Sequence, residues 1–196
     1  MNSKNGQKQA EKARLGSIGE NLVLAKLMLQ GWDTFNVNCT IKNYKSIDIV
    51  CIDRPDPDGQ NILWKPKTSF IQVKTSKENN IPTGYNIQEA MDIDYLRRTV
   101  IGPYIFVSAK KDKATNKYSF RYFIISRSKF IYLLYQAHYY YVKVLHKDDN
   151  IVLNAPAGLT ISWLEGREEF SPTRKEPWGN PITETCEDKW TNIWED

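Results

Sequence analysis

The sequence predicts an α/β domain of about five strands flanked by helices, and three observations carry that prediction. A helical period over residues 15–30 ends at Gly31, which is placed to close it. Short β-branched and aromatic runs then recur at 47–53, 69–75, 104–109 and 118–126. A second helical stripe (Phe130, Leu133, Leu134, Ala137 and Tyr141) follows the last of them. Strands interleaved with helical segments in one chain point to a layered α/β core.

Taken in order, residues 1–14 form a basic arm with Lys4, Lys8, Lys12 and Arg14, either free or the front of the first helix. In the helix over 15–30, Ile18, Leu22, Ala25 and Leu29 make one apolar stripe, and Val23, Leu24 and Leu27 make a second. Residues 32–38 and 47–53 read as strands. Pro55-Asp56-Pro57-Asp58-Gly59 is a turn, and Ile62-Leu63-Trp64 begins a return strand running to Gln72 and Lys74. Residues 76–85 are polar, contain Pro82 and Gly84, and read as a loop. Asn86 is placed to cap a helix over 87–98.

Strands over 104–109 and 118–126 flank the basic turn at Lys110, Lys111 and Lys113. Ser126 or Ser128 caps the next helix; residues 139–144 fit either its end or a strand. Residues 159–164 read as a last strand. The domain thus spans 15–164, and 165–196 form a tail rich in acid and Trp, where Trp190, Ile193 and Trp194 have helical spacing for docking on the body or on a partner.

Composition narrows the function. The chain has 196 residues, 41% of them hydrophobic, which is ample for one core. No run approaches the ~18 apolar residues of a membrane span, and the N-terminal stretch lacks the apolar centre of a secretory signal, so the expectation is a cytoplasmic protein. Cys39, Cys51 and Cys186 lack metal-ligand spacing, and His138 and His146 are the only histidines, which argues against a zinc site or a Ser-His-Asp hydrolase. The net charge of +4 divides into −5 over 165–196 (nine acids, four bases) and +9 over the remainder. A basic body suits a polyanionic partner.

Three polar anomalies sit where the pattern predicts burial. Glu20 lies within the second stripe of the first helix, and an acid among leucines needs a cation, a metal or a donor. Asp48 interrupts the β-branched run Ile47-Asp48-Ile49-Val50. In Ser69-Phe70-Ile71-Gln72-Val73-Lys74-Thr75, alternation puts Phe70, Gln72 and Lys74 on one face of an interior strand and Ile71 and Val73 on the other.

The segments Gly16-Ser17-Ile18-Gly19-Glu20, Ser46-Ile47-Asp48-Ile49-Val50 and Phe70-Ile71-Gln72-Val73-Lys74-Thr75, in that order, resemble the PD-(D/E)xK nuclease superfamily. The likeness is to the Holliday-junction resolvases and to restriction endonucleases that cleave modified DNA, and it covers about residues 15–135. It implies a restriction-endonuclease-like core around a central mixed β-sheet, and a Mg²⁺ (or Mn²⁺) cofactor. It implies Asp48 as principal metal ligand, Gln72 and the Val73 carbonyl as further oxygen donors, and Glu20 as a ligand through water or to a second ion. Lys74 would orient the attacking water or neutralise phosphate. Gln72 departs from the usual acid and weakens the expected metal site, although Gln-x-Lys also occurs in the superfamily. The literal Pro57-Asp58 is a rival for the motif acid, but it sits in a turn with nothing to hold it beside the strand.

Thr75, Ser76, Lys77, Arg97, Arg98, Lys110 and Lys111 are candidate phosphate contacts, with Lys113 and Arg121 beside them. The expected activity is DNA hydrolysis, structure-selective or defence-related, and the resemblance makes a homodimer reasonable. Two alternatives stand beside it: a nuclease-fold protein that binds nucleic acid without effective cleavage, and an interaction module acting through the C-terminal tail.

Overall fold

A long helix, α1 (Asn2–Leu29), leads to two short strands, β1 (Asp33–Asn36) and β2 (Ile49–Ile52). β3 (Thr68–Ser76) and β4 (Asn80–Asn86) follow, then the short helices α2 (Ile87–Ala90) and α3 (Ile93–Thr99). β5 (Tyr104–Lys111) and β6 (Tyr118–Ile125) precede α4 (Arg127–Tyr139), which passes into a π-helical segment at Tyr140–Leu145. β7 (Pro156–Thr160), α5 (Ile161–Leu164) and a 3₁₀ turn at Trp190–Trp194 complete the order. The computed structural model describes residues 2–39, 46–53, 65–147, 149–167 and 179–196, with side chains from residue 6 onward except that of Cys39.

The chain is an α/β protein around a mixed five-stranded sheet ordered β1-β2-β3-β5-β6; β4 and β7 form a separate two-stranded sheet. β1, β2 and β3 are antiparallel neighbours, β3 and β5 are parallel, and β6 returns antiparallel to β5. Alternation along β3 works as its sequence predicts. Ile71 and Val73 join Val23 and Leu27 of α1, Ile49, Cys51, Ile105 and Val107 in one core. On the other face Phe106, Phe123 and Ile125 pack against Phe130, Leu133 and Leu134 of α4 and Leu96 of α3. Fully burying each such side chain contributes about 1.5–3 kcal/mol, which is why these stripes fix the layers.

Several sequence expectations are corrected. Residues 2–14 are not a separate arm but the first turns of α1. Its buried stripe is Gly19, Val23 and Leu27, whereas Ile18 and Leu29 of the other stripe are exposed. The stretch read as a polar loop contains β4: Ile81 and Thr83 are fully buried, and pairing with β7 overrides a weak local preference. Pro82 is tolerated because a two-stranded sheet consists of edges. The helix expected over 87–98 is broken, because Asp92 caps a new start by accepting from the Tyr95 N–H. The last strand lies earlier than 159–164, and Ile161–Leu164 are helical. The 55–59 turn with Asp58, and the strand start at Ile62-Leu63-Trp64, lie outside the described residues.

The end of the tail packs on the body. Trp190 and Ile193 are buried in the α1-side core, Trp194 meets Trp32 edge-on at 5.2 Å, and the Asn192 amide donates to the Ile124 carbonyl at 2.7 Å. Glu187 bridges to Phe123, so this segment covers the edge strand β6. Cys51 and Cys186 are buried free thiols, pushed up by burial to about 12 and about 11. His138 is packed, hydrogen-bonded to the Leu134 carbonyl, and its pKa is lowered by burial. Among the described residues no helix is long and apolar enough to cross a membrane.

Candidate active site

Glu20 reaches the sheet because α1 comes unusually close to β3. A Cβ on Gly19 would stand 1.8 Å from the Thr75 Oγ1, so only glycine permits this approach. One residue on, Glu20 projects into an open cleft of about 960 Å³, which Asp48, Gln72 and Lys74 also line. Residues remote in the sequence therefore share one space: Glu20 from α1, Asp48 from the mouth of β2, and Gln72 and Lys74 from one face of β3.

Asp48 sits one residue before β2 rather than inside the strand, and its backbone is held from both sides. Its N–H donates to the Ile71 carbonyl and its carbonyl accepts from the Val37 N–H, both at 2.9 Å. Its side chain is held against β3, where Oδ2 accepts from the Val73 N–H at 2.7 Å. A strand residue sends its N–H and C=O to the same side, so the Val73 carbonyl leaves β3 toward Asp48 as well. Asn38 links the two acids, with Nδ2 donating to Asp48 Oδ1 at 3.1 Å and to Glu20 Oε2 at 3.4 Å. Sequence reading missed Asn38, because a single Asn after a strand carries no periodic signal.

The charges are not mutually neutralised. Burial raises the Glu20 pKa, and the Asp48 charge raises it further, against the lowering effects of the Asn38 amide and of Lys74. Burial lowers the Lys74 pKa, while Asp48 and Glu20 oppose the fall. Among the described residues Lys74 makes no direct ion pair with either acid. The backbone of β4 passes over its ammonium: Gly84 has φ +97°, and a Cβ there would lie 3.8 Å from Lys74 Nζ. Two acids driven together and a desolvated lysine form an arrangement suited to a cation and an anion that arrive jointly.

A second wall, also missed from sequence, comes from β4, α2 and α3. Glu89 Oε2 accepts from the Asn86 N–H at 2.9 Å in a capping box, and Oε1 accepts from the Tyr95 hydroxyl at 3.1 Å. Tyr85 stands edge-on to Tyr95 at 6.5 Å, and Tyr104, which also lines the cleft, stacks on Phe130 at 3.8 Å. Thr83 and Thr99 complete this wall.

The expected phosphate contacts are scattered. Neither Thr75 nor Ser76 lines the cleft: the Thr75 Oγ1 is buried beneath Gly19 without a hydrogen-bond partner among the described residues, and the Ser76 Oγ accepts from the Glu78 N–H. Lys77 pairs with Glu11 of α1. Arg97 and Arg98 are exposed on α3, the helix that gives Tyr95 and Thr99 to the cleft, and Arg97 pairs with Asp94. Lys110 and Lys111 lie four and five residues beyond Phe106, the register partner of Lys74, hence roughly 13–17 Å along β5. Lys113 is exposed in the following turn. Arg121 is engaged by Glu165 and Glu187 at 2.5 and 2.6 Å.

For a divalent ion the wall holding Glu20 and Asp48 offers two carboxylates and the Gln72 amide, hard oxygen donors of the kind Mg²⁺ and Mn²⁺ take, with the Val73 backbone against Asp48 beside them. The raised Glu20 pKa fits a cation, which would relieve the repulsion from Asp48. Among the described residues no three His, Cys, Asp or Glu side chains gather closely enough to hold a metal by themselves, so any such site needs the neutral donors too. Fold and cleft together define an α/β protein with a pocket beside a mixed sheet, lined by Glu20, Asp48 and Lys74 on one wall and by Glu89 on the other. Comparisons of the chain with protein-family models, with curated proteins and with solved structures found no match.

Proposed function

We propose that the chain is a PD-(D/E)xK-type nuclease with a restriction-endonuclease-like core, hydrolysing phosphodiester bonds of DNA with Mg²⁺ or Mn²⁺. One observation carries the reading: Asp48, fixed by the Val73 N–H, shares the Asn38 amide with Glu20 in the same cleft that Gln72 and Lys74 enter from one strand face. The strand order supports it, since an antiparallel β1-β2-β3 unit followed by a parallel β5 places the acid and the lysine at neighbouring strand ends.

In this reading Asp48, Glu20, the Gln72 amide oxygen and the Val73 carbonyl hold the divalent ion, which when bound lowers the pKa of a water and polarises phosphoryl oxygen. Asn38 keeps both carboxylates turned to the cleft. Lys74 carries its charge in a partly dry setting, where it orients the attacking water or offsets charge on the phosphate. The β4 backbone limits where its ammonium points. Arg97 and Arg98 lie beside the cleft for phosphate contact.

The test is nicking of supercoiled plasmid and of branched duplexes in Mg²⁺ or Mn²⁺, expected for the parent and lost in Asp48→Ala and Lys74→Ala. Variants as active as the parent would sink the proposal. The neutral Gln72 favours a second reading, binding without effective cleavage. Calorimetry separates the two: DNA binding without any Mg²⁺ or Mn²⁺ binding supports the second.

A further inference from the structure

The cleft is larger than a scissile phosphate needs. Its volume of about 960 Å³ lies at the upper end of small-molecule sites, roughly 300–1,000 Å³, so it suits a nucleotide or two rather than a turn of duplex. Duplex DNA enters such a space only by offering a nucleotide out of the stack. Glu20, Asp48, Gln72 and Lys74 account for one wall, and nothing in the hydrolytic reading uses the other.

Glu89 is the odd member of that other wall. A fixed carboxylate repels phosphate, so a cleft built only to grip the DNA backbone has no use for it there. Nor does it join Glu20 and Asp48 as a third metal acid, since no such group of three exists among the described residues. Capping α2 occupies Oε2 alone; Oε1 is turned to the Tyr95 hydroxyl within the cleft lining. Tyr95 donates that bond and its own pKa is raised by it, which leaves Glu89 an acceptor. Beside it, Tyr85 and Tyr95 are half-buried and locked edge to face, and offer ring surface in a fixed orientation.

We infer that this wall reads the base of an unpaired nucleotide, with Tyr85 and Tyr95 contacting its ring and Glu89 selecting bases that carry an exocyclic amino group. The inference rests on the cleft being a nucleic-acid site and adds the substrate class. Cytosine N4 and adenine N6 donate to a carboxylate, whereas thymine places a carbonyl oxygen at the corresponding position and opposes the Glu89 lone pairs. Aromatic contact is tolerant of sequence, so the carboxylate carries the choice.

The experiment is fluorescence anisotropy with labelled oligodeoxycytidine and oligothymidine of equal length, in Ca²⁺, so that binding is read without hydrolysis. The parent is expected to bind the cytidine oligomer about tenfold tighter. Glu89→Gln keeps an oxygen for the α2 cap while removing the charge, and is expected to bring the two affinities within about twofold. Tyr95→Phe, which frees Oε1, is expected to reduce the preference at unchanged thermal stability. Equal binding of the two oligomers by the parent, or a preference that survives Glu89→Gln, overturns the inference. If metal-dependent cleavage persists in that case, the nuclease reading stands without it. No binding of either oligomer also overturns the inference, and the nuclease reading is then decided by the plasmid and branched-duplex nicking alone.

Discussion

Two clusters in this chain each join two carboxylates to cationic side chains, Arg121 and Arg167 at the tail and Lys74 in the cleft, and they behave oppositely. At the tail, Arg121 donates to both oxygens of Glu187 at 2.7 and 2.6 Å and to Glu165 at 2.5 Å. Hydrogen bonding to Glu187 raises the Arg121 pKa, and Arg121 in turn lowers that of Glu187. In the cleft, Glu20 and Asp48 share a neutral amide, the Glu20 pKa is raised by burial and by its neighbour, and the Lys74 pKa is lowered by burial. The first cluster is satisfied as it stands and holds the tail to β6. The second is left in a state that only arriving charges relieve, which is how a site differs from a staple.

The sharpest way to break that comparison is to neutralise one acid of each cluster and measure activity. Asp48→Asn keeps the shape and one acceptor for the Val73 N–H, but removes the charge and turns an amino group toward the Asn38 amide. DNA cleavage in Mg²⁺ is expected to fall by about 10³-fold, roughly 4 kcal/mol of barrier. Glu187→Gln is expected to leave the cleavage rate within about twofold. Equal losses in the two variants would show that the cleft acids act only through stability.

A second effect comes from the contact that brings Glu20 to the cleft. Gly19→Ala puts a methyl into the Thr75 Oγ1, and the helix must move. The expected cost is about 1–3 kcal/mol in urea unfolding, with weaker Mn²⁺ binding because Glu20 shifts with α1. Removing the obstructing hydroxyl in Gly19→Ala/Thr75→Ala is expected to restore much of both. Thr75→Ala alone is expected to be near neutral, because that hydroxyl is buried without a partner. A double variant no better than Gly19→Ala would sink this account of the contact.

The satisfied cluster breaks differently. Arg121→Met leaves Glu187 without its guanidinium partner and Glu165 with Arg167 alone, and the expected loss is about 1–3 kcal/mol, below the fully buried case because Arg121 is one third exposed. Glu187 has a depressed pKa, so its stabilisation is present above the ordinary glutamate range and is lost as pH falls through the folded value. Parent and variant stabilities are therefore expected to converge in acid; a gap that stays constant would show the loss to be packing alone.

The β3 face pattern was legible because alternation is local: Gln72 and Lys74 on one side and Ile71 and Val73 on the other follow from the two-residue period. Glu20 was visible as an acid in an apolar stripe, although Ile18, Ala25 and Leu29 of the other stripe turned out to be exposed. β4 was not legible, since its pairing with β7 spans about seventy residues and its own letters, Asn-Ile-Pro-Thr-Gly-Tyr-Asn, favour a turn. Asn38, which follows β1, and Tyr85, Glu89 and Tyr95, which β4, α2 and α3 bring over the cleft, were not legible, because no spacing in the chain relates them to Asp48. The break between α2 and α3 lacks Gly or Pro and depends on Asp92 alone.

The smallest expected effect runs against intuition. Because the Glu20 carboxyl is raised above its ordinary value, the folded protein binds that proton more tightly than the unfolded chain does. Stability therefore falls as pH rises from the ordinary glutamate value through the folded one. Glu20→Gln escapes that fall, so the metal-free variant is expected to be slightly more stable than the parent at neutral pH in urea unfolding. The difference should vanish in acid, where both side chains are neutral. It should also shrink or reverse as Mn²⁺ is added, because ligand binding to the folded state stabilises the parent more. A Glu20→Gln variant less stable than the parent at neutral pH without metal would place Glu20 with the satisfied acids of the tail, and the contrast between the two clusters would fail.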